Sequence, residues 1–288
     1  MTAPERRPQG GEAPVAPDAR ASANSSAPVP SSYRKEGGAP ANGSELAASP
    51  VRRALSVAAE VVAVAAVPVV LALCAWFGVE QTALFSMVVV ACALLLFFAG
   101  YEAGRPRLRD IMPVAVLAAL AAAGRILFAP FPSFKPVSAI SIIGGAVFGR
   151  RSGFMIGALS ALASNFFFGQ GPWTPWQMYA WGMVGYGAGL LAQAGLAEKL
   201  PVMCGYGFLS GFGYGFVLNL WSIVGFFHPE SLAQIVAVYA AALPFDATHA
   251  VATVAFLLAL YAPWRRKLAR IRRKYGLVNE GKDRSCKK

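Results

Sequence analysis

Between residues 54 and 264 the chain is almost stripped of charge, and that property decides what it can become. Of its 26 Lys and Arg residues, seven lie in 1–53 and eleven in 265–288, which leaves eight for the 211 residues between. A soluble domain carries charge on about a quarter of its residues. Here 14% of the whole chain is charged, 56% is hydrophobic, and the mean hydropathy is +0.51. A soluble enzyme is excluded on those grounds, and a lipid-facing surface is predicted. The net charge of +12 belongs to the two ends, so it reads as charge beside a membrane and not as a nucleic-acid partner. Cys74, Cys92 and Cys204 sit in apolar runs and Cys286 in the basic tail. No C-x-x-C spacing links them, which leaves neither a disulfide framework nor a structural zinc site.

Eight apolar segments follow, at about 54–77, 83–99, 111–129, 137–149, 153–168, 175–196, 203–224 and 235–261. Backbone inside a bilayer must satisfy its own hydrogen bonds, so the expected class is an all-α, polytopic transmembrane helical bundle. The run from Ala54 to Phe77 is too long for the apolar core of an export signal. A bulky Leu73 before Cys74 argues against lipoprotein cleavage. A ~30 Å hydrocarbon core needs about 20 helical residues, so 137–149 and 153–168 are short and are expected beneath neighbouring helices, or with one tilted or irregular. Residues 1–50, rich in Ala, Pro, Ser and Gly, are expected to form a disordered tail. The remaining divisions are two spans in 51–104, a core in 105–264 and a basic tail in 265–288.

An even number of spans places both termini on one side. The connections on that side hold 24 Lys and Arg, against Lys135 alone on the other; without the tails the ratio is still six to one. Both ends are therefore expected in the cytoplasm of a multi-pass plasma-membrane protein, of bacterial type. Depth within each span then follows at about 1.5 Å per residue. Arg125, Asn165, Gln177, Asn219, Asp246 and His249 come from five different spans, and all fall in the outer half. Asp246 and His249, three apart, share one helix face. Ionisable groups in a membrane are costly and face a cavity or a partner. Their convergence suggests a receptor for an extracellular solute, whereas Glu60 and Gln193 in the inner half lie near span ends where snorkelling is cheap. Plainer roles exist for each residue. Arg125 can snorkel to headgroups, Asp246 can neutralise it or tie helices together with His249, and the two asparagines can bridge helices.

The outer stretch Phe166–Met178, reading FFFGQGPWTPWQM, combines glycine and proline turn signals with Trp173, Trp176, Gln170 and Gln177. The tryptophans suit either interfacial anchoring or a lid over a flat heterocycle. Small residues recur every four positions at Gly145, Gly149, Gly153 and Gly157, at Gly207, Gly211 and Gly215, and at Ala115/Ala119 and Ala118/Ala122. Such rows let helix backbones approach closely. The glycine rows read first as internal packing, and the alanine rows equally as a surface for another membrane protein. No G-x-x-x-x-G-K-[ST], H-E-x-x-H or G-x-S-x-G occurs, and two histidines, His228 and His249, do not make a usual zinc site. No catalytic residue, metal or cofactor is assigned.

From about residue 105 to 265 the sequence resembles the substrate-binding S component of energy-coupling factor (ECF) vitamin transporters. The resemblance rests on the Ala115-x-x-x-Ala119 helix, Gly-rich helices joined by Gly149-Arg-Arg-Ser-Gly153, the loop Phe168-Gly-Gln-Gly-Pro-Trp-Thr-Pro-Trp-Gln-Met178, and Leu243-Pro-Phe-Asp-Ala-Thr-His249. It implies a six-helix core with cytoplasmic termini and a vitamin site near the extracellular face. It also implies a transmembrane scaffold protein met by Ala115, Ala119 and Ala122, and two ATPases that supply energy. The loop motif points to the subgroup proposed for cobalamin or its precursors. Two extra N-terminal spans and the long tail depart from the six-helix pattern. On this expectation the chain is a binding subunit and not an enzyme. The other readings are a proton-coupled secondary transporter with Asp246 and His249 as relay, and a membrane enzyme using the same pair as acid and base.

Overall fold

A computed structural model describes residues 57–66, 69, 82–103, 106–227 and 229–277. The expected disordered tail, most of the first span, His228 and the last eleven residues lie outside them. Among the described residues every regular element is helical. In chain order they are α1 (Val57–Ala66), α2 (Thr82–Ala103), α3 (Leu108–Leu127), α4 (Val137–Phe148), α5 (Arg150–Phe168), α6 (Thr174–Gln193), α7 (Leu200–Ser222) and α8 (Leu232–Lys274). A single 3₁₀ turn, Leu196–Glu198, precedes α7, and a π turn, Ile223–Phe227, extends it. Among the described residues three helical stretches are long and apolar enough to cross a membrane: Leu108–Leu127, Leu200–Phe227 and Leu232–Lys274.

The helices from α3 to α8 run alternately up and down. Asp110 starts α3 by accepting the Arg107 amide at 3.0 Å, a capping contact at a helix N-terminus. At the far end of α3, Lys135 donates from Nζ to the carbonyls of Phe128, Ala129 and Phe131. Those carbonyls would otherwise be left open where the helix stops. Burial, and then the nearby Arg125, hold the Lys135 ammonium below the usual lysine range.

α4 is only twelve residues, about 18 Å, and eleven of them are buried. It packs against α3, α5, α6 and α8, so its short length never leaves polar backbone facing lipid. Gly149, at φ +101°, both ends α4 and starts α5, a backbone conformation that a β-carbon makes costly. α5 is longer than the apolar segment at 153–168 because it begins at Arg150. Arg150 and Arg151 reach Glu60 of α1 at 2.7 and 2.5 Å. Glu60 also accepts from the Tyr186 hydroxyl at 3.1 Å and is 4% exposed. It therefore does not snorkel as its place near a span end suggests. Two guanidinium groups neutralise it inside the bundle, which removes the drive toward water.

Both glycine rows pack within the molecule. A β-carbon on Gly185 of α6 would stand 2.1 Å from the Gly153 carbonyl oxygen, and one on Gly211 of α7 would stand 2.5 Å from Ala250 Cα in α8. The α5/α6 and α7/α8 pairs are accordingly the most intimate in the bundle. The alanine rows divide. Ala115 and Ala119 lie on an exposed face of α3 with Met112, Val116 and Leu120, whereas Ala118 and Ala122 are buried on the other face. The Ala118 carbonyl faces the Ser160 hydroxyl of α5. Ala122, expected at a partner surface, is thus turned into the bundle, because α5 covers that side of α3.

α8 is one 43-residue helix with Pro244 and Pro263 inside it. At about 65 Å it outruns the apolar segment 235–261 at both ends. The basic stretch from Arg265 to Lys274 is its final turns. Arg272 donates to the Val147 carbonyl at 2.5 Å, and Leu277 returns to the core.

Candidate functional site

The polar groups gather where α3, α5 and α7 end and α4, α6 and α8 begin. Arg125 leaves the last turn of α3 and donates from Nη1 to Ser164 Oγ and Asn165 Oδ1, both at 2.6 Å. Asn165 is fully buried and donates onward to Thr174 Oγ1 and Gln177 Oε1, each at 2.9 Å. Thr174 then donates to Gln170 Oε1 at 2.9 Å, and Gln170 returns its amide to the Leu162 carbonyl at 3.1 Å. Arg125, Asn165, Gln170 and Gln177 therefore form one hydrogen-bonded network across three helices. α5 places Ser160, Ser164 and Asn165 on its inward face, where the Ser164 hydroxyl also bonds back to the Ser160 carbonyl at 2.7 Å.

A stack of planar groups runs inward from that network. The Arg125 guanidinium lies 4.7 Å from the Phe168 ring and 4.8 Å from the Trp181 ring, both within cation–π range. Trp181 stacks on Tyr214 at 4.6 Å, and Tyr214 stacks on His249 at 4.9 Å. The buried His249 has Nε2 2.8 Å from Ser138 Oγ and Nδ1 3.3 Å from the Ser133 carbonyl oxygen. A carbonyl only accepts, so Nδ1 is assigned the proton and Nε2 accepts from the Ser138 hydroxyl.

Asn219 and Asp246 form a separate pair at 3.1 Å, with Asp246 seated against Gly215. A β-carbon on Gly215 would stand 2.1 Å from the Asp246 carboxylate, so the glycine makes room for it. Asp246 and His249 share a helix face as their spacing requires, yet they take different partners. Among the described residues Asp246 makes no ion pair with Arg125.

The loop at this end is shorter than the sequence stretch that marks it. Phe166–Phe168 finish α5, and α6 begins at Thr174 with Pro175 in its first turn. Trp173 is half-buried and lies over Gly171. Trp176 is fully buried in α6 with its ring 5.9 Å from Trp221, so it faces the core and not the outside. Among the described residues the buried indole nitrogens of Trp176 and Trp181 have no hydrogen-bond partner, nor does Ser141 Oγ. Among the described residues no group of three or more His, Cys, Asp or Glu could hold a metal ion.

Sequence reasoning missed Ser138, Ser164, Thr174, Trp181 and Tyr214. Each is a small hydroxyl or an aromatic ring in an apolar helix, where composition does not separate a site residue from core. One signal was present: Ser160, Ser164 and Asn165 recur at helical spacing on one face.

Residues 105–272 match the sequence profile of a Family of unknown function (DUF6580), and the chain belongs to that family. No curated protein and no solved structure matches it.

Proposed function

We propose that this chain is the substrate-binding membrane subunit of an ATP-driven, ECF-type uptake transporter for a vitamin or vitamin precursor, with cobalamin or its precursors as the favoured class. One observation carries the receptor part. Arg125, Asn165, Gln177, Asn219, Asp246 and His249 come from five helices and lie at one end of one bundle: Arg125, Asn165 and Gln177 in one hydrogen-bonded network, His249 reached from Arg125 through the Trp181–Tyr214 stack, and Asn219 with Asp246 as a separate pair.

The chemistry suits a polar, flat-faced solute. The amide and hydroxyl groups at this end bond one another, so a solute binds there by exchanging those bonds for its own, at little net cost per bond. Arg125 offers a fixed cation. The Trp181 indole N–H, beside Arg125, has no partner among the described residues and is a donor whose burial is unfavourable until something accepts from it. Arrangement of charge supports an outward site: Arg150, Arg151 and the α8 arginines lie at the opposite end of the bundle, where the positive-inside bias puts the cytoplasm. On this reading both termini are cytoplasmic, and α1 and α2 are additions to a six-helix unit. The family match beginning at residue 105 supports that division.

Energy comes from partners, because the sequence holds no nucleotide-binding loop. A transmembrane scaffold would dock on the exposed α3 face around Ala115 and Ala119. The chain itself performs no covalent chemistry. Uptake in proteoliposomes tests this directly. Transport is expected only when a scaffold and ATPase subunits are co-reconstituted with ATP. Uptake by this chain alone, driven by a proton gradient, would overturn the proposal in favour of a secondary transporter.

A further inference from the structure

The opposite end of the molecule holds a cavity of about 510 Å³ where the C-terminal ends of α4 and α6 meet the last turns of α8. Arg265, Arg266, Arg272 and Arg273 line it, with Glu198 as an acidic member. The arginines are not equivalent. Arg265 pairs with Glu198 at 2.5 Å, and Arg272 donates to the Val147 carbonyl. Arg266 and Arg273 are exposed side chains with no hydrogen bond or ion pair within the described residues. Burial, and then repulsion from Arg273, hold the Arg272 guanidinium below its ordinary range, as expected where cations crowd without enough anion between them. Among the described residues, four guanidinium groups line the cavity against one carboxylate, which leaves it positive.

We propose that this cavity binds the phosphate of an anionic phospholipid headgroup, with Arg266 and Arg273 as its principal contacts. Guanidinium forks match phosphate oxygens in geometry as well as charge. A lipid is favoured over a soluble phosphate by position. The cavity lies where α8 passes from its apolar, membrane-length part into its basic end. Leu190 and Ile271, exposed and next in sequence to the lining residues Gly189 and Arg272, offer apolar surface to the glycerol and upper acyl region. Basic pockets between helices at a membrane boundary bind lipid headgroups in this way. The proposal rests on α8 crossing a membrane and is independent of the solute site at the other end.

Native mass spectrometry of the full chain in detergent, titrated with phosphatidylglycerol, phosphatidylcholine or glycerol 3-phosphate, tests it. The wild-type chain should retain phosphatidylglycerol at least about ten-fold more strongly than phosphatidylcholine. R266Q/R273Q should lose about ten-fold in that affinity, while K267Q/R270Q should change it less than about two-fold. The control pair removes the same charge from the same helix but does not line the cavity. Equal losses in the two double variants would mean diffuse attraction to basic charge and would overturn the site. So would no loss in either, or equal retention of the two lipids by the wild-type chain. Displacement of bound lipid by glycerol 3-phosphate at comparable concentration would overturn the lipid source and point to a soluble phosphate.

Discussion

Arg125 holds three helices together and, under the proposed function, also recognises the solute. Its guanidinium bonds Ser164 and Asn165 and lies beside the Phe168 and Trp181 rings. Replacing it with Met keeps the apolar stem but leaves two buried acceptors without their donor. Loss of a charge-assisted partner of this kind costs about 1–3 kcal/mol, so the detergent-solubilised variant should melt at lower temperature than wild type. Solute affinity should fall further than stability does. Asn165→Ala breaks the same network one residue on and should give the same pair of effects. At His249 the expectation differs, because its ring is held by Ser138 and the Ser133 carbonyl. H249Q preserves hydrogen-bonding capacity but loses the stack on Tyr214. Binding measured by titration should weaken, with little change in melting temperature.

Among the elements, the contact of α5 with α6 depends on the absence of side chains. Gly185→Ala would place a methyl group 2.1 Å from the Gly153 carbonyl oxygen, and backbone there cannot move aside without parting two helices. Overpacking of that kind costs about 1–3 kcal/mol. Gly213→Ala is the matched control, since its added carbon meets nothing within 4 Å. Its melting temperature should equal or exceed wild type, because alanine favours the helix. The Glu60 clamp sets the attachment of α1. E60Q leaves Arg150 and Arg151 facing a neutral amide, and about 3–5 kcal/mol should be lost, read as a lowered melting temperature. These element-scale features were unevenly legible in the sequence. Gly149 marked the end of α4 correctly, and the four-residue glycine spacing announced close packing. The start of α5 was hidden because Arg150 and Arg151 look like solvent charges until Glu60 is brought to them from ninety residues away. Trp176 was equally opaque, since an interfacial tryptophan and a core tryptophan have the same sequence neighbourhood.

Across the whole molecule the two ends differ in chemistry. One end holds amide and hydroxyl groups, stacked rings and the separate charges of Arg125, Lys135 and Asp246; the other holds a cluster of arginines around an open cavity. The gross pattern was readable from charge placement and hydropathy alone, because lipid imposes it residue by residue. How the polar groups divide was not, since pairings such as Asn219 with Asp246, and His249 with Ser138, depend on helix rotation set by packing. Docking on the α3 face also belongs to this scale. Ala115→Phe or Ala119→Phe should leave solute binding intact while abolishing ATP-driven uptake, measured on the same reconstituted sample.

Native mass spectrometry of the chain extracted from its membrane, without ATP or partner subunits, tests the receptor reading most directly. A small solute of one defined mass should remain bound to the wild-type chain and be missing from Arg125→Gln at equal protein load. A wild-type chain that retains no solute, or an Arg125→Gln variant that retains it undiminished, would contradict that reading.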